Sequence, residues 1–339
     1  MPGVVTLVWH PSIVQPTPRQ EVFDTYWRFA AERQAIFHRR STGQPDPWTE
    51  DPILGHYKFC NAFRASDRVS QYLLRDVIYG RHGADLPAED AFLRIVLFRI
   101  FSRERTWDVI EEATGGLTRA TFDTERLAMV LSKAKVDGPI YTAAFILCAA
   151  NPYGFTTKHQ NHLELVRRMF TPGSLGGTLA RAQSLREVYE AFLEWPMIGP
   201  FLAYQLAIDL NYSEHLDFSE DEFTIPGPGA VRGLQKVFAD FGGNRPEDLI
   251  KAMVEQQDQH FERLGLDFQN LFGRRLHAID CQGLFCETDK YSRVAFPELK
   301  SNRQRIKQVH RPNPEPLPLF YPPKWGLNDK VPAPLQCLG

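Results

Sequence analysis

The segment DCQGLFCETDKYSR, residues 280–293, concentrates ionisable side chains on what its spacing makes one helix. At 3.6 residues per turn, Asp280, Phe285 or Cys286, Asp289 and Arg293 fall near one face, while Glu287, Lys290 and Tyr291 share the adjoining arc. Asp280 or Glu287 could serve as general base or as stabiliser of a developing cation, with Lys290 holding a phosphate or polarising a leaving group. Glu287 and Lys290, three apart, equally suit a surface ion pair. A second group is Asn61, Arg64, Asp67, Arg68 and Gln71. Its amides could read the Watson–Crick edge of a pyrimidine and its arginines hold flanking phosphates; alternatively Asp67 merely opens a helix. Lys158 and His159 could serve the same groove, although a His near a helix start is ordinarily just solvated. A third group, Asp217, Glu220, Asp221 and Glu222, is followed by PGPG, where Gly227 and Gly229 would let a substrate approach bare backbone. An acidic run is also an ordinary solvated loop.

The elements that must position these groups are helical, because apolar residues recur at three and four, as in Val69, Leu73 and Val77, and period-two alternation is scarce. Helices are expected near 19–38, 67–80, 88–101, 122–135, 140–149, 158–170, 184–194, 200–211, 229–241, 246–263 and 270–293. Residues 1–310 read as one large helical domain, with 311–339 a proline-rich tail laid across it and anchored by Phe320, Tyr321 and Trp325. Between helices 184–194 and 200–211 stands WPMIGP, which fits a helix-hairpin-helix. In that device Gly199 would form the tight turn, and the backbone at Ile198, Gly199 and Pro200 would grip DNA phosphate without reading sequence. The usual form is LPGIGP, so Met197 and Trp195 are departures, and a plain αα-hairpin corner is the other reading.

Composition narrows the class further. With 339 residues, 43% hydrophobic and 12% aromatic, the chain can bury a large core. Its 39 basic and 41 acidic side chains nearly cancel, so any hold on nucleic acid must be a local patch. No signal peptide or apolar membrane span is apparent, which leads us to expect a soluble cytoplasmic protein with no obligate protein partner. Five cysteines without CxxC pairs read as free thiols, and no His/acid cluster has metal spacing, so neither metal nor cofactor is expected. P-loop and Rossmann glycine motifs are absent, which excludes those ATP and NAD folds.

Two resemblances give these groups a setting. Helix-hairpin-helix DNA glycosylases place a Gly/Pro loop and a cation-stabilising aspartate roughly twenty residues beyond the hairpin; here the acids precede the loop, reversing the order. More extensively, ILGHYKFCNAFRASDRVSQYLL (53–74), FTIPGPGAVRGL (223–234) and DCQGLFCETDKYSR resemble the α-glutamyl/putrescinyl thymine pyrophosphorylase family, whose helical domain also occurs in phage hydroxymethyl-deoxyuridine DNA kinases. That resemblance implies action on C5-modified pyrimidines in double-stranded DNA. It covers transferases that install amino acids or amines on activated thymine, and anti-phage glycosylases that remove glucosylated hydroxymethylcytosine.

The combined expectation is an all-α, helix-hairpin-helix glycosylase-like enzyme that flips a hypermodified pyrimidine and leaves an abasic site. Catalytic candidates are Asp280, Glu287, Lys290 and Asp221. DNA-binding candidates are Ile198, Gly199, Pro200, Gly227, Gly229, Arg232, Asn61, Arg64, Asp67, Arg68 and Gln71. The rivals are an amine:DNA transferase and a DNA-binding helical module without catalysis.

Overall fold

The computed structural model describes residues 13–143, 151–299, 302–306, 308–311 and 318–332. The expected helix at 140–149, Cys148, Cys337 and parts of the proline-rich tail therefore lie largely or wholly outside the described residues. The chain is mostly helical. Among the described residues the α-helices run, in chain order, α1 (Gln20–Ser41), α2 (Pro52–His56), α3 (Arg68–Tyr72), α4 (Ala88–Phe101), α5 (Glu104–Thr114), α6 (Thr124–Val136) and α7 (Lys158–Met169). The remainder are α8 (Leu175–Ala180), α9 (Leu185–Leu193), α10 (Pro200–Asn211), α11 (Pro228–Val237), α12 (Pro246–Arg263) and α13 (Ala278–Ala295). Two short strands, β1 (Thr17–Pro18) and β2 (Phe238–Asp240), pair antiparallel.

Contacts divide the chain into two compact units. The first comprises the chain up to Asp67, Glu220–Pro318 and the end from Lys330; the second is Arg68–Ser219 with Leu319–Asp329. In the first unit α1 turns Phe23, Tyr26 and Trp27 inward, all of them fully buried. They meet Phe285 of α13 and His260 of α12: the Tyr26 and Phe285 rings lie 4.6 Å apart, and Trp27 stacks on His260 at 5.0 Å. α11 approaches α13 closely because it offers glycines there. A Cβ on Gly233 would stand 1.9 Å from the Phe285 carbonyl oxygen, and one on Gly229 would stand 2.3 Å from Cys286 Sγ. The expected helix over 229–241 stops at Val237, where the chain pairs with β1 and the Arg19 guanidinium takes the carbonyls of Gln235, Lys236 and Phe238 at 2.6–3.1 Å.

In the second unit α4 is buried from Ala91 to Phe101, including Arg94 and Arg99. Arg94 is satisfied by Glu111 at 2.7 Å and by two carbonyls, and Arg99 forms a two-pronged pair with Asp209. Segment Leu319–Asp329 is stitched into this unit. Gln71 exchanges two hydrogen bonds with the Phe320 backbone, and Lys324 Nζ donates to the carbonyls of Asn211, the last residue of α10, and of Ser213 just beyond it.

His260 gives the first unit a testable acid limb. Burial foremost, and the neighbouring Arg263 charge next, push its ring down to about 4 against the opposing pull of Asp24. A lowered value means that folding favours the neutral ring: this contribution is fully present above about pH 6.5 and drains as the pH falls towards 4. Integrated across that window it amounts to about 3 kcal/mol. Urea melts of His260→Phe against wild type between these limits should show a smaller acid loss in the variant; parallel pH profiles would contradict the assignment.

Candidate active site on α13

Residues 58–67, KFCNAFRASD, pack against α13 with little regular structure, so their backbone N–H groups need partners from elsewhere. Carboxylates provide them. Glu287 Oε2 accepts from Cys60 N at 3.0 Å, Asp67 Oδ1 from Asn61 N at 2.8 Å, and Asp280 Oδ1 from Arg64 N at 2.8 Å. Arg33 of α1 donates to the Cys60 carbonyl at 2.9 Å. Lys290 Nζ lies 2.5 Å from Glu287, donates to the Lys58 carbonyl at 3.1 Å, and stands over the Phe59 ring at 4.8 Å. Two of the charged segments singled out in the sequence thus hold one another.

The second focus is the N-terminus of α13. The expected helix over 270–293 begins only at Ala278, because Leu271 and Arg274 close a tight turn on each other and Asp280 Oδ2 accepts the N–H of the capping residue His277 at 3.1 Å. Asp221 reaches the same place. Its Oδ2 is 2.9 Å from His277 Nδ1, and its Oδ1 accepts from Ala278 N at 3.0 Å. Glu220 pairs with Arg274 at 3.0 Å.

These acids differ in environment. Asp280 is buried with both oxygens on backbone amides; burial, then the Glu220 charge, push it up to about 6 against Arg274 and the two N–H groups. Asp67 is likewise pushed to about 6, by burial first, with Glu287 adding to it and the Asn61 N–H and Arg33 opposing. Asp221, whose side chain is 38% exposed, goes the other way. Burial pushes it up, but His277 and the Ala278 N–H together hold it below the usual carboxylate range. Of the catalytic candidates, it is the half-exposed acid kept ionised.

Several expected roles meet different surroundings. Gln71 is fully buried with its amide on the Phe320 backbone, and the Asn61 amide nitrogen donates to the Ser66 carbonyl at 2.7 Å. Arg68 is exposed and pairs with Glu104 at 3.0 Å. Arg64 meets Asp280 through its backbone N–H. His159 is buried and 3.0 Å from Ser132 Oγ, not solvated, and Lys158 stands 4.6 Å over the Tyr141 ring. PGPG is no open loop: Gly227 caps α11, Pro228 begins it, and the bare side of Gly229 faces Cys286. Arg232 pairs with the buried Asp289 at 3.2 Å.

In the second unit WPMIGP does join α9 to α10, but Gly199 is extended (φ −91°), caps α10, and could carry a Cβ without meeting any atom within 4 Å. The left-handed residue of the turn is Met197, at φ +66°. Ile198 is buried, and Pro200 is the first residue of α10. In the sequence Asp221 is one acid of an ordinary-looking run, Asp217, Glu220, Asp221 and Glu222. Its His277 partner, 56 residues away in sequence, carries no local signal that could have found it.

A family model described as "5-hmdU DNA kinase, helical domain" matches residues 20–301. A 5-hmdU DNA kinase of Bacillus phage SP10 is 30% identical over 296 residues, covering 81% of this chain and 46% of that protein. The chain thus spans about half the length of that relative. No solved structure matches.

The glycine assignments separate by substitution. Gly233→Ala should cost several kcal/mol, at the upper end of overpacking penalties, because the obstacle is backbone. Gly199→Ala should change the melting temperature little. Thermal melts of the two variants check both; a Gly233→Ala protein as stable as wild type would contradict the close α11–α13 approach.

Proposed function

Because this chain belongs to the family of the 5-hmdU DNA kinase helical domain, we propose that it acts on C5-modified pyrimidines in DNA, and specifically that it is a DNA glycosylase excising such a base from phage DNA. The observation that carries the reading is Asp221: a half-exposed carboxylate, held ionised by His277 and by an N–H at the positive end of α13. Cleavage breaks the C1′–N bond, with the electron pair leaving on the base, and positive charge grows on the deoxyribose. An ionised carboxylate lowers that barrier. Water then bonds to C1′ and its proton is released, leaving an abasic site. The nucleotide must leave the stack for a side chain to reach C1′, so the substrate is flipped. Sequence-independent contact with DNA falls in this reading to the Gly199 corner of WPMIGP, because the Ile198 N–H is taken by the Trp195 carbonyl and Pro200 has none to give.

Asp280 and Glu287 have a different job in this reading. With their oxygens on backbone N–H groups, they hold residues 58–67 in shape, and Lys290 neutralises Glu287. They position; Asp221 reacts.

The test is to incubate the protein with DNA carrying hydroxymethyluracil, hydroxymethylcytosine or glucosylated hydroxymethylcytosine, and to measure free base and abasic sites. Asp221→Asn should lower base release by about 10²–10³-fold with DNA binding retained. Asp280→Asn should lower the melting temperature, because an amide nitrogen facing a buried N–H leaves it unsatisfied, at about 1–3 kcal/mol. Wild-type base release by Asp221→Asn would remove the assignment. DNA bearing pyrophosphorylated hydroxymethyluracil that gains mass with an amine, and never yields free base, would replace hydrolysis with transfer.

A further inference from the structure

Asp289 is fully buried, and cations from two helices converge on it: Arg232 Nε at 3.2 Å, Lys236 Nζ at 3.1 Å and Arg293 Nη2 at 2.6 Å. Three positive charges against one carboxylate leave a local excess of two. Lys236 is only 5% exposed and also donates to the Asp289 carbonyl at 3.1 Å, so it is a fixed source of field and not a contact group. The arginines are different. Arg232 spends only Nε on Asp289; its terminal Nη groups have no partner among the described residues, and its side chain is 18% exposed. Arg293 gives Nη1 to the Arg305 carbonyl at 3.1 Å, while its buried Nε has no partner. The nearby acid Glu287 is already neutralised by Lys290. Clustered, partly dried cations repel one another and favour an outside anion, and a guanidinium held at one nitrogen still offers its fork to two oxygens.

We propose that Arg232 and Arg293, held in place by Asp289 and backed by Lys236, form a phosphate-binding site. The ligand is a tetrahedral phosphate oxyanion, presented either by the DNA backbone or by free pyrophosphate. The site stands independently of the glycosylase reading, since it concerns anion binding and not bond cleavage. Its place suits DNA: Asp289 lies eleven residues along α13 from Ala278, whose N–H holds Asp221, which is about 17 Å of helix rise or roughly five base-pair steps of a duplex.

Two probes test it: a short unmodified duplex, followed by fluorescence anisotropy across roughly 50–200 mM salt, and inorganic pyrophosphate, followed by calorimetry. For a backbone phosphate, Arg232→Gln should weaken duplex binding about 3–10-fold and reduce the salt slope by about one. For free pyrophosphate, the calorimetric signal should fall in the variant while duplex binding holds. Either loss supports the site and identifies its source. Arg232→Lys, which keeps the charge and loses the fork, should fall between Gln and wild type, and it serves if the Gln variant does not fold. A folded variant that binds both probes as wild type does would overturn the proposal and reduce the cluster to a helix clamp.

Discussion

The first unit depends on carboxylates accepting backbone N–H groups. Residues 58–67 have too little regular structure to satisfy their own amides, and burying those amides unpaired would cost about 1–3 kcal/mol each. Glu287 and Asp280 reach them from α13, and Asp67 reaches one from within the segment. Such bonds to charged acceptors are stronger than neutral ones but demand that the acids be buried and ionised together. Burial resists this, which is why Asp67 and Asp280 are both displaced upward to about 6. Arg33 and Lys290 meet part of that demand from α1 and α13. A helix that looks like a catalytic array is in large part a scaffold for the loop beside it.

The sequence was most legible where proline punctuates it. α4, α10 and α12 begin where expected because proline suits a helix start: Pro87 caps α4 from just outside it, and Pro200 and Pro246 are the first residues of α10 and α12. It was least legible where the chain turns without glycine. Ser102 and Met197 both take positive φ, so the break between α4 and α5 and the corner of WPMIGP lack the residue that normally marks them. Nothing in the sequence therefore announces α5, and Gly199 rather than Met197 looks like the corner. α2, only five residues long, is too short for periodicity to register.

The charged residues were legible as groups, but their partners were not. Pattern along one helix places Glu287 beside Lys290, and the structure keeps that pair. No pattern links Glu287 to Cys60, Asp280 to Arg64 or Asp221 to His277, because those pairings are made by tertiary structure. The glycines of PGPG suggest close approach by a substrate, whereas at Gly229, and at Gly233 further along α11, what approaches is α13. A bare backbone invites a helix as readily as a ligand.

The bond from Glu287 to the Cys60 amide spans 227 residues, and this sets a timetable for synthesis. At about 5–20 residues per second, roughly 11–45 s separate the emergence of the loop from that of the helix that completes it. Over that interval α1 offers Phe23, Tyr26 and Trp27 with no α13 to cover them. The stretch Arg68–Ser219, nearly a whole unit, leaves the ribosome meanwhile and can assemble while its neighbour waits. The nascent chain therefore carries an unfinished apolar surface until α13 emerges, and a slow codon run or a scarce chaperone would act on that surface before it acted on any finished site.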